Sequence, residues 1–128
     1  MELVADEAKI GAVVFDILSE INAKIYAGTA PSGTTFPYAV FTLRSINQSF
    51  GAISNLILSV NIWDNKGNDI AALLNFQKSI IEGVNRLVYA DDDTSLRFYL
   101  ESINNVPTDR LHLRRREITF NIKYIRRV

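Results

Sequence analysis

The chain holds 128 residues, with fourteen Lys and Arg balancing fourteen Asp and Glu, 48% hydrophobic residues, a single histidine and no cysteine. This length predicts one domain, residues 1–128, with one real core. Zero formal charge speaks against a dedicated nucleic-acid binder, and the cysteine and histidine counts exclude a disulfide framework, a thiolate or histidine-rich metal site and a cysteine nucleophile. No apolar run approaches the ~20 residues that cross a bilayer, and the opening MELVADEAKI lacks the basic start of a secretory signal. A soluble chain in a cytoplasm-like space, with no membrane partner, is therefore expected.

From Asp6 to Ala27, the residues Ile10, Val14, Ile17, Leu18, Ile21 and Ile25 fall at helical spacings, which predicts one amphipathic helix stopped by Gly28. GTAPSGTTFP then reads as a loop. Phe36 to Ile46 is β-branched and aromatic and reads as a strand, followed by a long hairpin loop from Asn47 to Asn55. Leu56 to Asp64 alternates: Leu56, Leu58, Val60 and Ile62 share one face, and Ser59, Asn61 and Trp63 share the other. After the turn Asn65–Asp69, Ile70, Leu73, Leu74, Gln77, Ile80, Ile81, Val84 and Leu87 describe a second helix to about Arg86. Asp91-Asp92-Asp93 forms an acidic turn, and Leu96 to Ser102 alternates again. Asn104 to Leu113 is irregular around Pro107. Arg115 to Arg126 is the last strand, with Ile118, Phe120, Ile122 and Tyr124 on one side and Glu117, Thr119, Asn121 and Lys123 on the other.

This order, α-β-β-α-β-β, predicts an α+β two-layer sandwich: a four-stranded antiparallel sheet with two helices on one face. The other sheet face, bearing Ser59, Asn61, Thr119, Asn121 and Lys123, is left polar and uncovered. Charge is uneven along the chain. From Leu96 onward eight Lys and Arg stand against three Asp and Glu, and before it six stand against eleven. Such a split suits self-assembly.

No phosphate loop, dinucleotide fingerprint, nucleophile elbow or zinc-protease motif is present, so no enzyme, no cofactor and no metal site is expected. His112, between Leu111 and Leu113, reads as a surface or interface residue rather than a base. A calcium loop opening at Asp91 would need Gly and Glu where the chain has Leu96 and Ser102, so the triple aspartate reads as a solvated turn. Arg114-Arg115-Arg116 is the densest cationic run, with Arg114 and Arg116 on one strand face and Arg115 on the other. Asp109 and Glu117 nearby favour ion pairs within or between subunits over nucleic acid. Trp63, closing its strand beside Asn61, is an aromatic suited to a contact between chains. The candidate subunit-interface residues are thus Arg110, Arg114, Arg115, Arg116, Asn61 and Trp63.

Taken together, FPYAVFTLRS, LILSVNIWDNKGND opening a helix, LRFYLES and the closing RRREITFNIKY resemble the tail terminator or tail-completion proteins of long-tailed bacteriophages, with the lambda-type terminator fold. The likeness covers Pro37 to the C-terminus. The chain departs from many members at Asn61, where they carry an acid, and at Leu100-Glu101-Ser102, where they carry Arg-Glu-Asn. The resemblance implies a non-enzymatic virion protein at the head–tail interface, present in the host cytoplasm during assembly. Such a protein forms a homo-hexameric ring on the tail tube, stops tube polymerisation and offers a surface to the head. Its partners would be itself, the major tail tube protein and a head completion or connector protein. Genome DNA would pass through the lumen without sequence-specific binding. A head-side completion or stopper ring is the alternative.

Overall fold

The computed structural model describes residues 2–47, 53–92 and 94–126. Residues 48–52 of the expected hairpin loop, Asp93 of the acidic turn and Arg127 lie outside the described residues. Within them the order is α1 (Glu2–Ile21), β1 (Ile25–Ala27), β2 (Tyr38–Asn47), β3 (Ile53–Asp64), α2 (Ala71–Val84), β4 (Val88–Ala90), β5 (Thr94–Val106) and β6 (Arg114–Arg126). The strands form one sheet in the order β1-β2-β3-β6-β5-β4. β1 runs parallel to β2, and every other neighbour is antiparallel.

The sheet is therefore six-stranded and mixed, which corrects the four-stranded antiparallel sheet and the α-β-β-α-β-β order expected from sequence. The first added strand comes from the end of the expected helix. Ile25 continues the spacing of Leu18 and Ile21, but the Asn22 side chain accepts from the Lys24 N–H at 2.8 Å and turns the chain out of the helix. Ile25 is then buried as a strand residue, opposite Ala39. Gly28 ends that strand rather than the helix. It adopts φ 77°, a conformation that L side chains rarely take, while its N–H donates to Phe41 O at 3.0 Å. The second added strand follows α2, which stops at Val84. Arg86 takes φ 65°, and Leu87, expected on the helix, pairs through its carbonyl with the Phe98 N–H. β5 also runs past Ser102 to Val106, through a register shift between Leu100 and Ser102.

One core joins the two layers. Ile10, Val14 and Leu18 from α1 and Leu73, Phe76, Ile80 and Val84 from α2 pack on one sheet face: Leu56, Leu58, Val60 and Ile62 of β3, Ile118, Phe120, Ile122 and Tyr124 of β6, and Leu96 and Phe98 of β5. The stripe of α2 is rotated from the expected one, so that Phe76 is buried and Leu74 is 37% exposed.

The register makes a pair of substitutions informative. Ile122 is fully buried and Thr119 lies on the uncovered face, between Ser59 and Ser102. Ile122→Asp buries an unpaired charge at a cost of several kcal/mol and is expected to abolish soluble folded protein. Thr119→Asp is expected to give a circular dichroism spectrum and melting curve close to the parent's. Equal behaviour of the two would contradict the register.

Candidate functional site

Along β3 and β6 the column facing the helices is apolar for most of its length and turns polar at one end. Leu56, Leu58, Val60 and Ile62 lead to Asp64, and Tyr124, Ile122, Phe120 and Ile118 lead to Arg116 and Arg114. Beside this end and the first turn of α2 opens a cleft of about 900 Å³. Its walls are Asn68, Ile70 and Leu73 on one side and the chain from Asn105 to Leu111, with Leu113 to Arg116, on the other.

The cleft is held by short-range contacts. The Thr108 hydroxyl lies 2.7 Å from Leu113 O and 3.1 Å from Arg110 O, which closes the 108–113 turn. The Gly67 N–H donates to His112 O at 3.0 Å and clips the β3–α2 loop to that turn. Arg114 Nη2 donates to Asn68 Oδ1 at 3.3 Å, and Arg116 Nη1 to Gln77 Oε1 at 2.9 Å. Arg116 Nε is buried with no acceptor among the described residues. Asp64 is buried opposite Arg114; its Oδ1 accepts from the Asn65 N–H at 2.9 Å, and its Oδ2 has no hydrogen-bond partner among the described residues. Among the described residues no carboxylate lies within 4.0 Å of Arg110, Arg114, Arg115 or Arg116. The N-terminus of α2 already has a carboxylate, since the Ala71 N–H donates to Asp69 Oδ1 at 3.4 Å. Guanidinium groups stay charged at all ordinary pH, so these arginines present fixed positive charge at this end of the sheet.

The uncovered face carries a second group. Tyr38, Trp63, Arg115 and Val106 form one row across β2, β3, β6 and β5. Tyr38 stacks on Trp63 with ring centroids 5.5 Å apart, and the Arg115 guanidinium lies 5.2 Å from the centroid of the Trp63 ring. Arg115 Nε also donates to Asn61 Oδ1 at 2.9 Å, so Asn61, expected to be open to water, is buried at 8% exposure. One row further, Ser59 Oγ donates diagonally to Glu117 Oε2 at 2.7 Å.

The six candidate residues thus divide between the two faces of the sheet. Arg110, Arg114 and Arg116 line the cleft; Arg115 also contributes to its wall, but its side chain joins Asn61 and Trp63 on the opposite face. The intrachain ion pairs expected of Asp109 and Glu117 are not present among the described residues: neither has a cation within 4.0 Å. His112 is exposed, beside Gly67. Sequence reasoning missed Tyr38 as the partner of Trp63, and Asn68 and Gln77 as anchors of the arginines. Only the strand register, Tyr38↔Trp63, signals the first, and nothing local signals the others. Among the described residues no group of three or more acids or imidazoles is placed to hold a metal.

At the other end of β5 lies an acidic corner. Asp91 Oδ1 accepts from the Thr94 N–H at 2.8 Å and its hydroxyl at 3.0 Å, and Asp91 Oδ2 meets Lys9 Nζ at 3.0 Å. The Asp91 of the expected solvated turn is thus a turn-forming residue. The Tyr89 hydroxyl donates to Asp91 Oδ2 at 3.2 Å. Its phenol is held above the ordinary value of 10.0, by desolvation first and then by the Asp91 hydrogen bond and charge, with Lys9 opposing and Asp16 adding.

A scan of protein-family models finds none that matches this chain, and a search of curated proteins finds no similar one.

Two outcomes follow from these contacts. Gly67 has φ 59°, and a Cβ there would sit 3.1 Å from His112 Nδ1. Gly67→Ala is expected to cost about 1 kcal/mol, lowering the melting temperature by about 4 °C; an unchanged melting temperature contradicts the positive φ and the close approach of His112. A raised phenol pKa means that Tyr89 contributes stability present in full below pH 10.0 and lost as pH rises through the folded-state value. Alkaline melts of Tyr89→Phe should therefore be less pH-dependent above pH 10.0 than those of the parent.

Proposed function

We propose that this chain is a structural assembly protein of a long-tailed bacteriophage. It forms a ring on the end of the tail tube, stops tube polymerisation and presents the head-attachment surface. The major tail tube protein and a head completion or connector protein are its partners, and genome DNA passes through the lumen. The observation that carries this reading is the resemblance over Pro37–Tyr124. Its strand, helix and closing-strand pieces occupy β2, β3, α2, β5 and β6; of the two added edge strands, β1 precedes that stretch and β4 falls within it.

Two surface features support an assembly role. The arginines of the cleft lack carboxylate partners within the described chain, as surfaces that meet another protein often do before assembly. Large apolar side chains also stand exposed along β5 and its following turn: Tyr99 at 44%, Ile103 at 40% and Leu111 at 82%. Exposed ion pairs contribute about 0–1 kcal/mol each, so a ring needs such apolar contact as well.

The test adds purified protein to growing tail tubes and measures tube length by electron microscopy. Tubes are expected to stop and to carry a terminal six-fold ring. Tubes that grow past their normal length at saturating protein, with no terminal ring, contradict the reading. Binding to isolated portals instead of tubes would move the protein to the head side as a stopper.

A further inference from the structure

We infer that the arginine cleft is one half of a head-to-tail contact between two copies of this chain, and that the acidic corner where α1 meets the Asp91–Thr94 turn is the other half. The inference rests on the self-assembly proposed above and locates it on two surfaces.

The cleft lacks counterions. Arg110, Arg114 and Arg116 have no carboxylate within 4.0 Å among the described residues, and Arg116 Nε is buried without an acceptor. The one acid in the lining, Asp109, is exposed. The cleft is also apolar: Leu111, 82% exposed, stands at its mouth, with Leu113 and Val106 behind. A phosphate backbone would satisfy the cations and leave these side chains in water. A protein surface carrying carboxylates satisfies both.

The chain itself offers such a surface. Asp16 and Glu20 are exposed one helical turn apart on α1, and Asp92 is exposed at the tip of the β4–β5 turn. The Lys9–Asp91 contact at 3.0 Å joins the helix to the turn, and Asp16 stands about two helical turns further along α1. Phe15, beside Asp16 in sequence, turns its ring to Phe41 of β2 at 6.5 Å instead, so the corner is offered by its carboxylates. Lys9 is engaged with Asp91, and Asp16, Glu20 and Asp92 have no cation within 4.0 Å among the described residues.

The Asp91–Thr94 turn cannot reach the cleft of its own molecule. β5 pairs with β6 from Thr94↔Arg126 to Val106↔Arg115, so the acidic turn sits at one end of the ribbon and the cleft at the other. Thirteen residues of strand separate them, about 40 Å at ~3.3 Å per residue. Complementary surfaces at distinct places on one molecule make a heterologous contact, which propagates until a ring closes.

The experiment is sedimentation velocity of the full chain at about 50 mM and about 500 mM NaCl, which brackets strong and weak screening. A cleft variant carries Arg110→Gln and Arg114→Gln; a corner variant carries Asp16→Asn, Glu20→Gln and Asp92→Asn. Circular dichroism checks that both fold. The parent is expected to form species larger than dimers at low salt and to dissociate at high salt. Each variant alone should associate at least about tenfold more weakly, a loss of about 1.4 kcal/mol. Because each variant keeps the surface that the other lacks, their mixture should give a one-to-one dimer that grows no further. A parent that stays monomeric at low salt, or folded variants that associate as it does, would overturn the contact. Cleft-dependent retention of short duplex DNA without self-association would assign the cleft to nucleic acid instead. Should the contact fail while tubes still stop in the length assay, the tail reading survives; should tubes keep growing while the contact holds, only that reading falls.

Discussion

The structure depends on the pairing of β3 with β6. Each residue from Ile53 to Asp64 faces one from Ile125 to Arg114 without a register shift. Side chains alternate strictly along both strands, so this one register decides which residues form the core and which face away. A slip by a single residue would exchange Ile118, Phe120 and Ile122 for Glu117, Thr119 and Asn121. No arrangement of the helices could compensate for the charge and polarity then buried.

That register also explains where the unsatisfied groups lie. The core-facing column ends in Asp64 on β3 and in Arg116 and Arg114 on β6, so the strands that build the core continue into a polar end beside the start of α2. The contacts there are amide-to-guanidinium bonds, Asn68 with Arg114 and Gln77 with Arg116, rather than ion pairs. They orient the side chains without neutralising them. The opposite face differs: Arg115 is spent on Trp63 and Asn61, a stack that contributes about 0.5–1 kcal/mol of cation–π attraction at an exposed site and fixes that row. One run of three arginines therefore serves two purposes, with the face of the strand deciding which.

Much of the core was legible in the sequence, because β3 and β6 alternate cleanly and their apolar columns face the helices. The short edge strands were not. Ile25 stands at helical spacing from Leu18 and Ile21, so periodicity alone cannot separate it from α1; the Asn22 turn does. Leu87 likewise continues the spacing of Val84 until Arg86 reverses the backbone. β5 was read only to Ser102 because the register shift at Glu101 inverts the phase: Leu96, Phe98 and Leu100 face the core before it, and Ile103 pairs with Ile118 after it. The arginine run was visible as a run. Its division between a stacked face and a cleft follows from strand phase, but the cleft itself needs the 108–113 turn and the α2 start to come together, and no local pattern encodes that meeting.

The core of α1, α2 and the sheet closes within the described residues, and the proposed assembly places neighbours at the two charged ends of the β5–β6 ribbon. Amide hydrogen exchange of the protein, alone and on purified tail tubes, tests it most directly. The account predicts that β3 and β6 exchange slowly in both states, and that binding adds protection at 105–116 and around Asp91–Asp92. An exchange pattern unchanged by tubes at both ends of the β5–β6 ribbon would contradict it.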